Sequence, residues 1–280
     1  MPSIATLRSS VVAWAKADEN VLALIATGST SKAEMHSDEF SDLDLEVIAR
    51  DPKRLLDDDS WFASFGVVWV VLGLEQHYPT RLVIYDGGSK ADFTVAGTER
   101  IEEMRDRLDP LYERGYQVLL DKEGTTADLP PASGAYPARP LPTQAEFDAV
   151  VEEFWFEAAH MPRYLAREDL WVVKFRDWTM KTNILQMLEW KALARADGKP
   201  PEIWYIGTRM KDWLDADTWH RLHEVFGGFE QRDSWRAIQA SADLFGHASR
   251  EVAEMVGLSH PGLLERRTRS YLDSFDARFA

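Results

Sequence analysis

Residues 26–50 read ATGSTSKAEMHSDEFSDLDLEVIAR, and the two ends of this stretch decide how the N-terminal half folds. At its front, VLALIATG (21–28) is a short apolar run ending in glycine, the pattern of a buried strand entering a turn. At its back, LDLEVIAR (43–50) alternates Leu43, Leu45 and Val47 against Asp42, Asp44 and Glu46, which reads as a strand with one face exposed. Side chains two apart on a strand share a face, so the carboxylates of Asp42 and Asp44 converge and Glu46 lies on their side. Two carboxylates at that spacing repel unless a cation sits between them, and Mg²⁺ takes carboxylate oxygens together with substrate phosphates. Upstream, the small residues Gly28 and Ser29 let backbone N–H groups and a hydroxyl approach a phosphate closely.

An Asp-x-Asp pair is a weak signal by itself, and the chain has three. Asp57 and Asp59 sit in LLDDDSW, which reads as a solvated turn or helix end. Asp215 and Asp217 precede TWHRLHEVF, where acids favour the positive end of a helix. Only Asp42 and Asp44 combine an alternating strand with a Gly-Ser turn. A third acid, Asp92, stands in KADFTV among apolar strand neighbours, where an unpaired carboxylate would cost several kcal/mol. Together the three acids predict a metal site.

Around this stretch the N-terminal half mixes helical and strand-like patterns. Residues 3–18 carry an apolar helical stripe at Ile4, Leu7, Val11, Val12 and Trp14. VVWVVLGL follows as a strand, and TRLVIYDGGSKADFTVAG has two β-rich arms about DGGSK, a hairpin signal. The Pro- and Ala-rich stretch TTADLPPASGAYPARPLP (125–142) is the best linker, and beyond it the patterns are almost entirely helical. Thr143 and Glu146 form a capping box, a long helix covers LWVVKFRDWTMKTNILQMLEWKALARADGK, and three further helical patterns follow. The expected fold class is α+β: a mixed-sheet domain over 1–135 and a helical bundle over 136–280. Trp171, Trp178 and Trp190 are expected in the core at the junction of the two domains.

Composition narrows the function. The 280 residues include no cysteine, which excludes disulfides, thiolate zinc sites and cysteine nucleophiles. Lys and Arg total 32 against 47 Asp and Glu, a net charge of −15. That field repels nucleic acid in the absence of a basic cluster, and it draws in metal ions and cationic small molecules. No apolar run approaches the length of a membrane span and the start does not read as a secretory signal, so a soluble, cytoplasmic protein without a membrane partner is expected.

Several stretches then match one family in order: GS followed by FSDLDLE, RLVIYDGGSKADFT, EFW, K-x-x-D-x-x-x-K-x-x-x-x-x-MLEW, and a late A-x-x-LF-x-x-x-SREVAE. The chain resembles the nucleotidyltransferase superfamily to which polymerase-β-like enzymes belong. More closely it is similar to the aminoglycoside 6-adenylyltransferases, the streptomycin-modifying group. The resemblance implies an N-terminal nucleotidyltransferase (polymerase-β-like) domain and transfer of AMP from ATP, as co-substrate, to a hydroxyl of streptomycin or a related aminoglycoside. Another small-molecule or protein acceptor on the same fold, and a degenerate nucleotide-binding module, are the alternative readings. Two departures stand out. The loop TSKAEMHSDEF has Lys32 as its only Lys or Arg, and Leu43 stands where relatives often carry Tyr.

Roles for single residues follow from the resemblance. Asp42 and Asp44 would hold two Mg²⁺ ions. Asp92 would hold the ion nearest the acceptor hydroxyl and either accept its proton or leave deprotonation to the metal. Gly28 and Ser29 would position the β- and γ-phosphates. Lys174, Asp177 and Lys181 fall on one helical stripe, with Val173, Met180, Ile184 and Met187 on the opposite, core-facing side. The family motif points Lys174 and Lys181 at the triphosphate with Asp177 orienting them, whereas the stripe alone reads more readily as a solvated face. A cationic acceptor needs acids and aromatics. EEFWFEAAH offers Glu153, Trp155, Phe156, Glu157 and His160, and Glu46 is a further candidate acid. A monomer or weak homodimer is expected.

Overall fold

The apolar run ahead of the glycine forms β1 (Val21–Thr27), and all of it is buried. It lies inside a six-stranded sheet with β2 (Leu43–Ala49), β3 (Val68–Leu74), β4 (Thr80–Tyr85), β5 (Lys90–Ala96) and β6 (Gln117–Asp121), in the order β3-β4-β5-β2-β1-β6. This computed structural model describes residues 4–28, 40–134, 139–197, 201–203 and 205–279. The chain divides into two compact units, Met1–Pro137 and Ala138–Ala280. The architecture is α+β, with a mixed sheet in the first unit and helices alone among the described residues of the second.

In the first unit, β4 and β5 form the expected antiparallel hairpin, and Gly87 and Gly88 take φ of 85° and 83° in its DGGSK turn. β2 and β5 pair in parallel, with Asp44 level with Asp92. Every other neighbouring pair is antiparallel. One face of the sheet packs on α1 (Ile4–Ala17), α2 (Pro52–Leu56) and the 3₁₀ turn Asp59–Ser64, through Leu7, Val11, Leu55, Trp61, Phe62 and Phe93. The opposite face is covered by α3 (Thr98–Asp106) and α4 (Pro110–Arg114), which bring Ile101, Met104, Leu108 and Tyr112 onto Ile25 and Ile48. The sequence patterns gave no assignment for α3, α4 or β6.

This second cover corrects the reading of β2 as half exposed. Every residue of the strand except Asp44 is buried, because β1 and β5 flank it and α3 and α4 close the face on which Glu46 lies. Alternation is the mark of one wet face only where nothing caps that face. Asp44 escapes because it sits at the strand's N-terminal end.

In the second unit, α5 (Gln144–Leu165) begins at the expected capping box: Thr143 accepts from the Glu146 backbone N–H, and Glu146 reaches back to Thr143. It packs with α6 (Leu170–Arg195) and α9 (Gln231–Val256), alongside α7 (Met210–Trp213), α8 (Ala216–Glu224), α10 (Gly262–Asp273) and α11 (Asp276–Phe279). Phe154 stacks on Phe245 with ring centroids 3.8 Å apart. Asp215 caps α8 by accepting from the Thr218 backbone N–H, as its position ahead of that helix suggested. The core side of α6 carries Val173, Met180, Ile184 and Met187, all buried, and Trp190 is buried too. Trp171 and Trp178, expected in the core, are instead 79% and 65% exposed. With Phe175, 74% exposed, they form an aromatic stripe at i, i+4 and i+7 on the side of α6 away from that core.

Candidate functional site

The site follows from the register of two strands. Pairing of Asp44 with Asp92 and of Leu43 with Ala91 places Asp42 level with Lys90, and alternation turns all four charged side chains to one face. One carboxylate oxygen from each of Asp42, Asp44 and Asp92 lies within 4.8 Å of the others. The Lys90 Nζ donates to Asp42 Oδ2 and to Asp92 Oδ2, each at 2.7 Å. β1 supplies the third wall: Thr27 is level with Asp44, and Gly28 ends the strand beside it. Gly28 has φ of +65°, and a Cβ there would stand 2.1 Å from Asp44 Oδ2. Glycine is therefore required twice, by the backbone and by the carboxylate that lies against it.

Crowding shows in the electrostatics. Burial and then the neighbouring charges of Asp42 and Asp92 push the Asp44 carboxyl up to about 7, while Lys90 and Arg114 pull the other way. Burial likewise raises Asp92 above the usual carboxylate range, against the hydrogen bond from Lys90. Among the described residues, nothing hydrogen-bonds the buried Oδ1 of Asp92. Three converging carboxylates, one of which carries an orphaned buried oxygen, fit a divalent cation such as Mg²⁺. An ammonium already bridging two of them shows that this place favours positive charge.

The other candidates are distributed differently. Ser29 lies outside the described residues. Glu46 shares the face of Asp44 but is only 4% exposed. Arg100 Nε donates to its Oε1 at 2.7 Å, the Tyr112 hydroxyl bonds its Oε2, and Arg100 also reaches Asp109. Burial pushes its carboxyl up to about 7, against the charge and hydrogen bond of Arg100. Both oxygens serve the packing of α3 and α4 on the sheet, so Glu46 is not presented to an acceptor.

Lys174, Asp177 and Lys181 do lie along one stripe of α6, but that stripe is no solvated face. Lys181 and Asp177 are 7% and 8% exposed. The Lys181 Nζ donates to Asp177 Oδ1 at 2.6 Å and to Ser241 Oγ at 2.9 Å, whereas Lys174 is partly exposed and donates to the Gly227 carbonyl.

In α5, Trp155 is fully buried beside Phe154 and Phe245, which corrects its assignment to an acceptor surface. Its helical phase matches Val151, Ala158 and Pro162, the core side. Glu157 receives two contacts from Arg176 Nη1, at 2.8 and 3.1 Å. Glu153 and Phe156 are exposed, and His160 bonds the Phe156 carbonyl. Sequence reasoning missed Lys90, although its spacing from Asp92 on one strand was a usable signal.

The family model described as streptomycin adenylyltransferase matches residues 1–275. The chain belongs to the streptomycin adenylyltransferase family. It is accordingly a nucleotidyltransferase. Among curated proteins it is similar to an aminoglycoside 6-adenylyltransferase of Bacillus subtilis (strain 168), at 24% identity over 90% of each chain. A protein of the same name from Campylobacter jejuni is 22% identical, over 94% of this chain and 92% of that one. A third, from Staphylococcus aureus, is 22% identical over 86% and 88%. A crystal structure of an aminoglycoside 6-adenyltransferase from Bacillus subtilis aligns over 97% of this chain and 96% of that one, with a TM-score of 0.44 and 18% identity. Among the described residues, no helix is long and apolar enough to cross a membrane.

Proposed function

We propose that this protein transfers AMP from ATP to a hydroxyl group of an aminoglycoside, with streptomycin the first acceptor to test. The observation that carries the reading is the convergence of Asp42, Asp44 and Asp92 beside the Gly28 turn, within a chain of this family. Asp42, Asp44 and Asp92 would hold Mg²⁺, two ions by analogy with the superfamily. Mg²⁺ bound there would supply the charge neutralisation that displacement at a phosphorus atom requires. Gly28, lacking a Cβ, leaves room for the backbone to approach phosphate oxygens, and Ser29 would add its hydroxyl. Asp92, beside the proposed metal, is the group that would accept the acceptor hydroxyl's proton, directly or with the metal's help.

Lys174, Asp177 and Lys181 enter the proposal through the family motif. Lys181 is already committed to Asp177 and Ser241, so Lys174 is the better candidate for contact with the triphosphate. Glu153 is the α5 acid proposed for a cationic acceptor, since Glu157 is already paired with Arg176, and the exposed Phe156 is the aromatic on the same helix. Nucleic acid is not the proposed partner, since a net charge of −15 opposes it.

The test is pyrophosphate release from MgATP across a panel of aminoglycosides, streptomycin first, with mass spectrometry of the acceptor. Acceptor-dependent release with a gain of one AMP is expected, and it should be lost in Asp42→Ala and Asp44→Ala variants that remain folded. Wild-type rates in either variant would sink the site assignment. No stimulation by any panel member would sink the choice of acceptor.

A further inference from the structure

We infer that Lys90 is a resident counter-ion of the acidic cluster, occupying in the metal-free protein the place a divalent cation takes, so that metal loading must displace its ammonium. The inference rests on the metal-site reading above and adds to it a residue which sets how tightly that site holds a cation.

The geometry carries it. Lys90 Nζ sits 2.7 Å from an oxygen of Asp42 and 2.7 Å from an oxygen of Asp92, the short distances of charge-assisted bonds. These two carboxylates are also two of the three that cluster within 4.8 Å. Mg²⁺ binds oxygen at about 2.0–2.1 Å in a demanding octahedral arrangement. An oxygen lone pair directed at an ammonium proton is not available to the metal, so the two cations compete for the same pair of carboxylates.

The origin of the competition lies in the fold. Lys90 is the first residue of β5 and Asp92 the third, so alternation sends both to one face, and the parallel register sets Lys90 beside Asp42. The register fixes where the Lys90 backbone stands, not where its ammonium ends. The ammonium can withdraw, because the Lys90 side chain is 34% exposed and lies on a flexible four-carbon stem. The carboxylates that remain would otherwise face one another unscreened, which explains why a cation is built into the strand that brings the third acid. One ammonium balances only one of the three carboxylates, so a divalent ion still binds, against an incumbent.

The probe is Mn²⁺ added without nucleotide to the full-length protein and followed by the loss of the free-ion electron paramagnetic resonance signal. Lys90→Met keeps the length of the stem and removes the charge. It should bind Mn²⁺ at least tenfold more tightly than wild type, whereas Lys90→Arg, which retains the charge, should stay within about threefold of it. In parallel, Lys90→Met should melt below wild type in chelator and regain the deficit in saturating Mn²⁺. Unchanged or weaker Mn²⁺ binding by a folded Lys90→Met protein would overturn the counter-ion role. Asp44→Asn separates the two ideas. If it loses Mn²⁺ binding while Lys90→Met matches wild type, the metal site stands and the counter-ion fails. If it binds Mn²⁺ as wild type does, both fail together.

Discussion

Replacing Gly28 by alanine tests the site at the point where backbone and carboxylate meet. The new Cβ would start 2.1 Å from Asp44 Oδ2 and 3.1 Å from its Cγ. Opening the first contact to the 3.0 Å floor of real Cβ neighbours requires about 0.9 Å of movement, the difference between 3.0 and 2.1 Å. Asp44 must supply it, since Gly28 is held at the end of β1. A non-glycine residue at φ of +65° costs on the order of 1–3 kcal/mol of stability. Misplacing a reacting-site group by about 1 Å costs roughly 100-fold in rate. Gly88→Ala is the control. Gly88 has φ of +83° with nothing within 4 Å of the added Cβ, so it carries the backbone strain without the collision. Both variants should lose similar stability in urea titration, but only Gly28→Ala should lose adenylyl transfer by about two orders of magnitude and bind Mn²⁺ more weakly. A Gly28→Ala enzyme with a wild-type rate, or equal losses of rate in both variants, would show that the approach of Gly28 to Asp44 does not shape the site.

Other outcomes follow from the same geometry. Asp44 and Glu46 both titrate near 7 when folded, above their ordinary values of 3.8 and 4.5. The folded state therefore binds more protons than the unfolded one between about pH 4 and 7. Metal-free stability should fall as pH rises through that window, by on the order of a few kcal/mol. The slope should flatten in Asp44→Asn, and an unchanged slope there would exclude Asp44 as its source. Trp155→Ala should cost about 3–5 kcal/mol and leave the acceptor KM of the folded protein unchanged, and the reverse pattern in urea melts and kinetics would return Trp155 to the acceptor surface. Lys174→Ala should weaken ATP binding and spare acceptor affinity, whereas Lys181→Met should mainly destabilise, by about 3–5 kcal/mol, by stranding buried Asp177. Calorimetric titration with ATP and thermal melts separate the two.

Much of the site was legible because it rests on short-range rules. The apolar run before Gly28, the i, i+2 spacing of Asp42 and Asp44, and the hairpin carrying Asp92 each need only a few residues of context. What depended on distant chain was not legible. Lys90 shares a face with Asp92 by local spacing, but its contact with Asp42 comes from the parallel pairing of β2 with β5, and no local pattern announces that partner. Glu46 looked like an exposed acid because α3 and α4, which close over it, gave no sequence assignment. The tryptophans exchanged places for a different reason. α6 has apolar residues on two sides, so type alone does not say that Val173, Met180, Ile184 and Met187 face the core while Trp171 and Trp178 face outward. In α5 the helical phase was sufficient to place Trp155 inside, but resemblance to an acceptor-binding family outweighed it.

The parallel register of β2 and β5 also bears on how the protein folds. Asp42 and Lys90 are 48 residues apart, and a parallel pair cannot close through a tight turn. No local fragment of the chain contains the complete acidic cluster, which assembles only when a long loop closes, a slow step for non-local pairing. The strand that arrives with Asp92 brings Lys90 with it. β5 thus docks onto β2 as a locally balanced segment instead of as an added negative charge, and like-charge repulsion need not obstruct the last zipping of the sheet. Divalent metal should then bind to a sheet already assembled, speeding refolding little while slowing unfolding.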